Sequence, residues 1–300
     1  MTDPHTRSAA PPRCVVVTGA STGIGRATAG ALVARGFRVF GSVRRQADAE
    51  QLRQALGTRF TPLHFDVTDA APVAAAAAQV RAELRGEALA GLVNNAGLAV
   101  SGPLLEVPIA ELRRQLEVNL VGQMLVTQAF APLLGAEPSR IEGKGRIVMV
   151  TSTAGRRAFP FMGPYAASKF GLEGLAESLR RELMLFGIEV IIVAPGPTAT
   201  PIWDKADAVA PSAFAASPFG PALGKFRALM LAQGRKGLPP ERIAGVIAHA
   251  LTTKRPKVRY TVTPTPVQNF MLTRLPKRLV DRLLARTLGL TTATPKPGAL

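Results

Sequence analysis

The chain has 300 residues, 47% of them hydrophobic, enough for one large domain or two small ones with a full core. Its 37 Lys and Arg against 20 Asp and Glu give a net charge of +17, which attracts anionic partners, but with aromatics at 5% and no RNA-binding or zinc-finger pattern, nucleic acid is not expected among them. A single cysteine, Cys14, excludes an internal disulfide and fits a reducing cytoplasm, and three scattered histidines (His5, His64, His249) give no metal site and no His-based triad.

Residues 1–12 are polar and proline-bearing without an apolar h-region, so they read as a loose tail rather than a signal peptide. CVVVTGA then opens the folded part as a short β-branched strand ending in glycine, followed by a helical pattern to about Arg35. FRVFGSV, FTPLHFDV, ALAGLVNNAG, GRIVMVTS and IEVIIVAPG are further apolar, strand-like runs. Helical segments lie between them: ADAEQLRQAL, APVAAAAAQVRAEL, the stretch from Ile109 to Leu134, and a long one beginning near Pro164. The alanine run at 74–78 is a helix interior. Apolar strands alternating with helices predict an α/β fold, a single-domain, Rossmann-like, doubly wound parallel sheet with helices on both faces. Its ligand site then lies at the carboxyl ends of the strands. After Pro195 the alternation gives way to a Pro-, Ala- and Ser-rich connection, which predicts a lid over about 197–236 within a domain of 13–300. No window approaches the roughly 18 uninterrupted apolar residues of a membrane-spanning helix.

Where the first strand meets the first helix stands Thr18-Gly-Ala-Ser-Thr-Gly-Ile-Gly25, with glycines spaced G-x-x-x-G-x-G. Glycines let the backbone approach a pyrophosphate, and the helix N-terminus offers free N–H groups and a positive dipole end. Gly19, Ser21, Thr22, Gly23, Ile24 and Gly25 are therefore candidate phosphate contacts. The next strand ends Ser42-Val43-Arg44-Arg45 without the carboxylate that would bind the adenosine ribose of NAD. Arg44 is the candidate clamp for a 2′-phosphate, a contact worth on the order of 1.5–3 kcal/mol, so NADP(H) is preferred over NAD(H). Asp66 and Val67 end the third strand, where the adenine ring would lie; Asp66 could equally cap the turn that follows. Asn94-Asn95-Ala96-Gly97 closes the fourth. Adjacent buried amides there are costly unless they bridge backbone or ligand, so Asn94 and Asn95 are read as structural support plus cofactor contact, with Ala96 and Gly97 as further cofactor contacts.

TGASTGIG, NNAG, Asn119 in EVNL, Ser152 in VTSTAG, YAASK and PGPTAT occur in an order and spacing that resembles a classical short-chain dehydrogenase/reductase, over about residues 13–200. The resemblance implies a catalytic tetrad of Asn119, Ser152, Tyr165 and Lys169, with Lys169 also holding the nicotinamide ribose. It further implies that Asn119 bends its helix and anchors a water relay, and that Pro195, Gly196 and either Thr198 or Thr200 pack on the nicotinamide. The residues themselves support these roles. Tyr165 has an ordinary pKa near 10, about three above working pH, so acid–base work requires roughly 4 kcal/mol of help. A lysine four places on shares its helix face, and its charge favours tyrosinate. Ser152, thirteen residues before Tyr165, can hydrogen-bond a substrate oxygen whose charge changes.

Phe159, Phe161 and Met162, with Trp203 in the lid, are the candidate substrate-lining residues and suggest a hydrophobic substrate. The C-terminal third resembles the steroid and retinol dehydrogenase branch of that family, implying alcohol–carbonyl interconversion on a steroid-, retinoid- or lipid-like molecule. Competing functions are a non-catalytic NADP(H) sensor or scaffold, against which intact Ser152, Tyr165 and Lys169 speak, and an NAD-dependent dehydrogenase of a small polar alcohol. In the extension at about 264–290, Leu279, Val280, Leu283, Leu284 and Leu288 form one apolar stripe opposite Arg278, Arg282 and Arg286. Such a helix can lie on an anionic membrane surface, giving an otherwise cytoplasmic enzyme a peripheral contact, or dock over the active site or against a neighbouring subunit. Homo-oligomerisation, as dimer or tetramer, is implied by the family.

Overall fold

The structure, a computed structural model, describes residues 13–136, 144–200 and 214–291. Seven strands, all paired in parallel, form one sheet in the order β3-β2-β1-β4-β5-β6-β7. They are β1 (Cys14–Val17), β2 (Arg38–Val43), β3 (Phe60–His64), β4 (Gly91–Asn94), β5 (Arg146–Val150), β6 (Glu189–Pro195) and β7 (Arg259–Val262). The first six match the runs read from the sequence. The seventh adds an edge strand that was not expected.

Period-two alternation within the strands builds two cores, one on each face of the sheet. Val16, Ile147, Met149 and Ile192 face one side, where α3 (Ala70–Leu84), α5 (Gly122–Phe130) and α6 (Gly163–Glu182) pack. Val15, Val17, Val148 and Ile191 face the other, covered by α1 (Gly23–Val33) and α2 (Gln46–Leu56) and, from further along the chain, by Ile243, Ile247 and Leu251. This continuous apolarity along each strand is what a parallel sheet buried on both faces requires. Cys14 lies in the first of these cores, and burial pushes its thiol pKa up. It is a packing residue, as its position in an apolar run suggests.

The remaining helices are α4 (Ile109–Leu116), α7 (Gly220–Arg235), α8 (Pro240–Thr252), α9 (Pro266–Arg274) and α10 (Lys277–Leu288). Beside the two sheet-flanking cores a third, smaller cluster joins Phe161, Ala222 and Phe226 of α7, and Leu288 of α10. Leu288 docks the final helix onto α7, whereas Leu279 and Leu283 of the same stripe remain exposed. Among the described residues no helix is long and apolar enough to cross a membrane.

Candidate active site

The strand order reverses between β1 and β4, which opens a crevice at their carboxyl ends. The glycine turn lies in it. Gly19 (φ 63°) and Gly23 (φ 55°) occupy the left-handed region that side chains avoid, and a Cβ on Gly19 would come within 3.0 Å of Ala96 Cα. A Cβ on Gly25 would collide with the Gly19 carbonyl, and on Gly23 it would approach Thr200 at 3.1 Å. Helix α1 begins at this turn with no side chain capping it and no acidic residue in its first turn. Its N–H groups and dipole are thus left for an anion. These features fit the pyrophosphate of a dinucleotide.

Asn95, expected as structural support, and two residues outside the predicted set, Thr18 and Ser42, hold the turn in place. Thr18 Oγ1 accepts hydrogen bonds from the Asn95 and Ala96 N–H groups at 2.8 and 2.9 Å, tying β1 to the end of β4. Asn95 Nδ2 donates to the Thr18 and Gly19 carbonyls at 2.9 and 3.3 Å. Ser42, at the end of β2, accepts from Gly19 N–H at 2.8 Å. Asn94, by contrast, turns into the core, where Nδ2 donates to Thr127 Oγ1 at 2.8 Å. Its side chain is spent on packing, and only its main chain borders the crevice. Ala96 and Gly97 follow at the crevice itself, Gly97 close to the Asn119 amide.

Arg44 is exposed at the tip of β2 and pairs with Asp66 at 3.3 Å. Burial alone would raise the Asp66 pKa, but hydrogen bonds from the Thr68 N–H and hydroxyl, together with Arg44, hold it below the usual value. Arg44 and Asp66 thus form one polar station, and Val67 lies buried beside it. Arg45 pairs instead with Asp48 in the first turn of α2.

The catalytic candidates converge from β5, α6 and the junction of α4 with α5. That junction, Glu117–Val121, is a π-helical turn, and Asn119 sits inside it, fully buried. A π-turn shifts a side chain off the regular helical face. Here it lets Asn119 accept from Leu98 N–H and donate to the Leu98 carbonyl, both at 2.9 Å, and reach Ser168 Oγ at 3.2 Å. Ser152 follows β5 and caps a short turn by accepting from Ala154 N–H at 3.0 Å, while its hydroxyl donates to the Pro195 carbonyl at 3.5 Å. Lys169 is buried, and its ammonium donates to the Val150 carbonyl at 3.0 Å and lies 5.9 Å from the Tyr165 ring centre. Burial lowers its pKa to about 8.

Burial also raises the Tyr165 pKa, with the nearby Ser152 hydroxyl pulling the other way. In the free protein the tyrosine therefore shifts opposite to the direction expected from its lysine neighbour, because both groups share one desolvated site. The other tyrosine has separate work: Tyr260 Oη accepts from Lys257 N–H and its ring meets His249 edge-on.

Behind the site Glu173, one turn beyond Lys169, is buried. It accepts from Thr151 Oγ1 at 3.0 Å, Arg259 at 2.8 Å and Arg156 at 2.9 Å. One carboxylate therefore joins α6, the end of β5, the segment after Ser152 and the edge strand β7. The helical spacing from Lys169 was the available signal for it.

Among the nicotinamide candidates, Thr198 is buried with its hydroxyl donating to the Gly196 carbonyl at 3.0 Å, while Thr200 stands over Gly23. Gly196 N–H donates to Val262 O, so Pro195 and Gly196 are fixed by β7. Of the substrate-lining candidates, Phe161 is buried and meets Phe219 and Phe226 edge-on, with ring centres 6.3 and 5.6 Å apart. Its φ of 66° is strained for an aromatic residue and is held by its carbonyl, which accepts from Gly102 N–H at 2.9 Å. Phe161 thus anchors α7, with Phe159 and Met162 partly buried around it, while residues 201–213 of the expected lid lie outside the described residues. Trp203 lies outside the described residues.

Residues 13–210 match the family model for short chain dehydrogenases. This chain belongs to the short-chain dehydrogenase/reductase family. It is 37% identical over 277 residues to an NADPH-dependent 3-dehydrocapnine reductase of Ornithobacterium rhinotracheale, covering 92% of this chain and 97% of that one. It is 34% identical over 295 residues to human retinol dehydrogenase 5, covering 94% and 89%. A short-chain dehydrogenase from Streptomyces avermitilis superposes with a TM-score of 0.74 at 29% identity, over 95% of this chain and all of that one. The chain is thus an oxidoreductase of a family that uses nicotinamide cofactors on small substrates, with relatives among reductases and retinol and steroid dehydrogenases.

Proposed function

We propose that this enzyme interconverts a hydroxyl and a carbonyl group on a hydrophobic substrate, with NADP(H) as its cofactor. The observation that carries the reading is the convergence of Ser152, Tyr165 and buried Lys169 beside an uncapped, glycine-lined helix N-terminus. The bound cofactor supplies or accepts the hydride at the reacting carbon. Tyr165 moves the proton to or from the substrate oxygen. Ser152 releases its weak 3.5 Å bond to Pro195 and holds that oxygen where charge develops. Lys169 keeps a positive charge next to the tyrosine below about pH 8 and reaches the nicotinamide ribose. Asn119 fixes the Leu98 backbone and Ser168, and so the placing of the helix that carries both catalytic residues.

The missing acid at the end of β2 and the exposed Arg44 guanidinium support NADP(H) over NAD(H). The phosphate contacts in this reading come from Gly19 to Gly25, the adenine contacts from Asp66 and Val67, and the nicotinamide contacts from Ala96, Gly97, Pro195, Gly196, Thr198 and Thr200. The cluster of Phe161, Phe219 and Phe226 supports an apolar substrate, with α7 as the described part of its cover. The reductase and retinol dehydrogenase names of the relatives agree with that chemistry. Exposed Val121, Phe170 and Leu175, near Asn119 and along α6, support a homo-oligomer formed through these helices. Exposed Val267, Phe270, Leu279 and Leu283 among Arg274, Arg278 and Arg282 support a peripheral contact with an anionic bilayer.

Paired fluorescence titrations with NADPH and NADH test the reading. Tighter NADPH binding, followed by NADPH oxidation on adding retinal or a long-chain aldehyde, is the expected result. Binding of neither cofactor sinks it, and binding without turnover of any carbonyl moves the protein to the sensor class.

A further inference from the structure

Arg156 and Arg157 are adjacent in the chain but differ in their surroundings. Arg156 donates to the buried Glu173. Arg157 has Nε and Nη1 buried with no hydrogen-bond partner. Burial also lowers its pKa below the ordinary arginine value. Its guanidinium carbon lies 4.7 Å from the centre of the Phe159 ring. A guanidinium keeps its charge in proteins, and a ring face returns only part of what two desolvated N–H groups lose. Buried donors without partners are rare enough that each calls for a physical reason, such as a group that arrives from outside.

Its place in the chain narrows that reason. Arg157 lies five residues after Ser152 and eight before Tyr165, on the segment whose Phe159, Phe161 and Met162 underlie the lid. We propose that Arg157 binds an anionic group of the substrate, a carboxylate or similar oxyanion, while the substrate's hydrocarbon part lies on the apolar residues around it. The substrate class is then an amphiphile: an apolar oxo or hydroxy compound with an acidic group, rather than a neutral steroid-like ketone. This rests on the assignment of Ser152 and Tyr165 as the reacting site. A planar guanidinium suits such a group because it can offer two parallel N–H donors.

The probe is dodecanoate against dodecan-1-ol, each titrated into enzyme saturated with NADP+, for the wild type, Arg157→Met and Arg157→Lys. The wild type should bind dodecanoate at least tenfold tighter than dodecanol. Arg157→Met should erase that preference, and Arg157→Lys should keep only part of it. NADPH affinity should stay the same in all three, which also shows that the variants fold. Equal binding of the two probes by the wild type, or a preference that survives Arg157→Met, overturns the proposal; the latter would assign the preference to the general basic surface. Loss of NADPH affinity in Arg157→Met with dodecanoate unaffected also overturns it, because the anion would then belong to the cofactor. If the wild type binds no NADPH at all, the active-site reading fails instead.

Discussion

Replacing Lys169 by Met should make the free protein more stable at neutral pH while abolishing turnover. Burial moves the lysine pKa from 10.5 to about 8, which corresponds to about 3 kcal/mol against the charged form, at about 1.4 kcal/mol per pH unit. An unfolded lysine titrates near 10.5, so between pH 8 and 10.5 the unfolded chain binds more protons and stability rises with pH. The full penalty applies below pH 8 and is gone above 10.5. Methionine fills a similar volume without charge and forfeits the bond to the Val150 carbonyl, worth about 1 kcal/mol. The net gain at pH 7 is then about 2 kcal/mol, and it should vanish by about pH 10. Urea unfolding curves for both proteins at pH 7 and pH 10 read this directly. A Met variant less stable than the wild type at pH 7, or a stability difference identical at the two pH values, would refute the reasoning.

Removing the Arg44 side chain should weaken NADPH binding about tenfold to a hundredfold and leave NADH unchanged, measured by cofactor fluorescence. Unchanged NADPH affinity would return Arg44 to the role of an exposed partner of Asp66. Tyr165→Phe should lower kcat by at least about a hundredfold, the scale of a lost proton donor, with NADPH affinity intact. Glu173→Ala strands the mostly buried Arg259 and should cost about 3 kcal/mol, roughly 5–10 °C in Tm. A thermal shift below 2 °C would remove Glu173 from its structural role.

Apolar runs and glycine spacing make the sheet and its glycine turn legible in the sequence, because a buried strand and a close backbone approach each demand particular residue types; the strand order that sets the switch point is not written there. Strand β7 is not legible because its four residues, Arg259–Val262, three half-buried and one exposed, leave little pattern at a sheet edge. Asn94 and Asn95 could not be told apart by composition; strand alternation sends the first into the core and leaves the second at the turn. The Arg44–Asp66 pair depends on the register that sets Val43 beside His64, which neither segment encodes alone. The upward shift of Tyr165 depends on the depth at which α6 packs, a tertiary quantity that the YAASK spacing does not contain.

The cluster around Phe161, Phe226 and Leu288 is separate from both cores that sandwich the sheet. Helices α7 and α10 can therefore lift away together without opening either core, a local unfolding far cheaper than the global one. If α7 covers the substrate as proposed, product departure runs through that movement. The separate cluster also leaves α7 and α10 free to change without disturbing the sheet. New specificities can be acquired on these two helices, by exchanging residues that belong to neither sheet-flanking core.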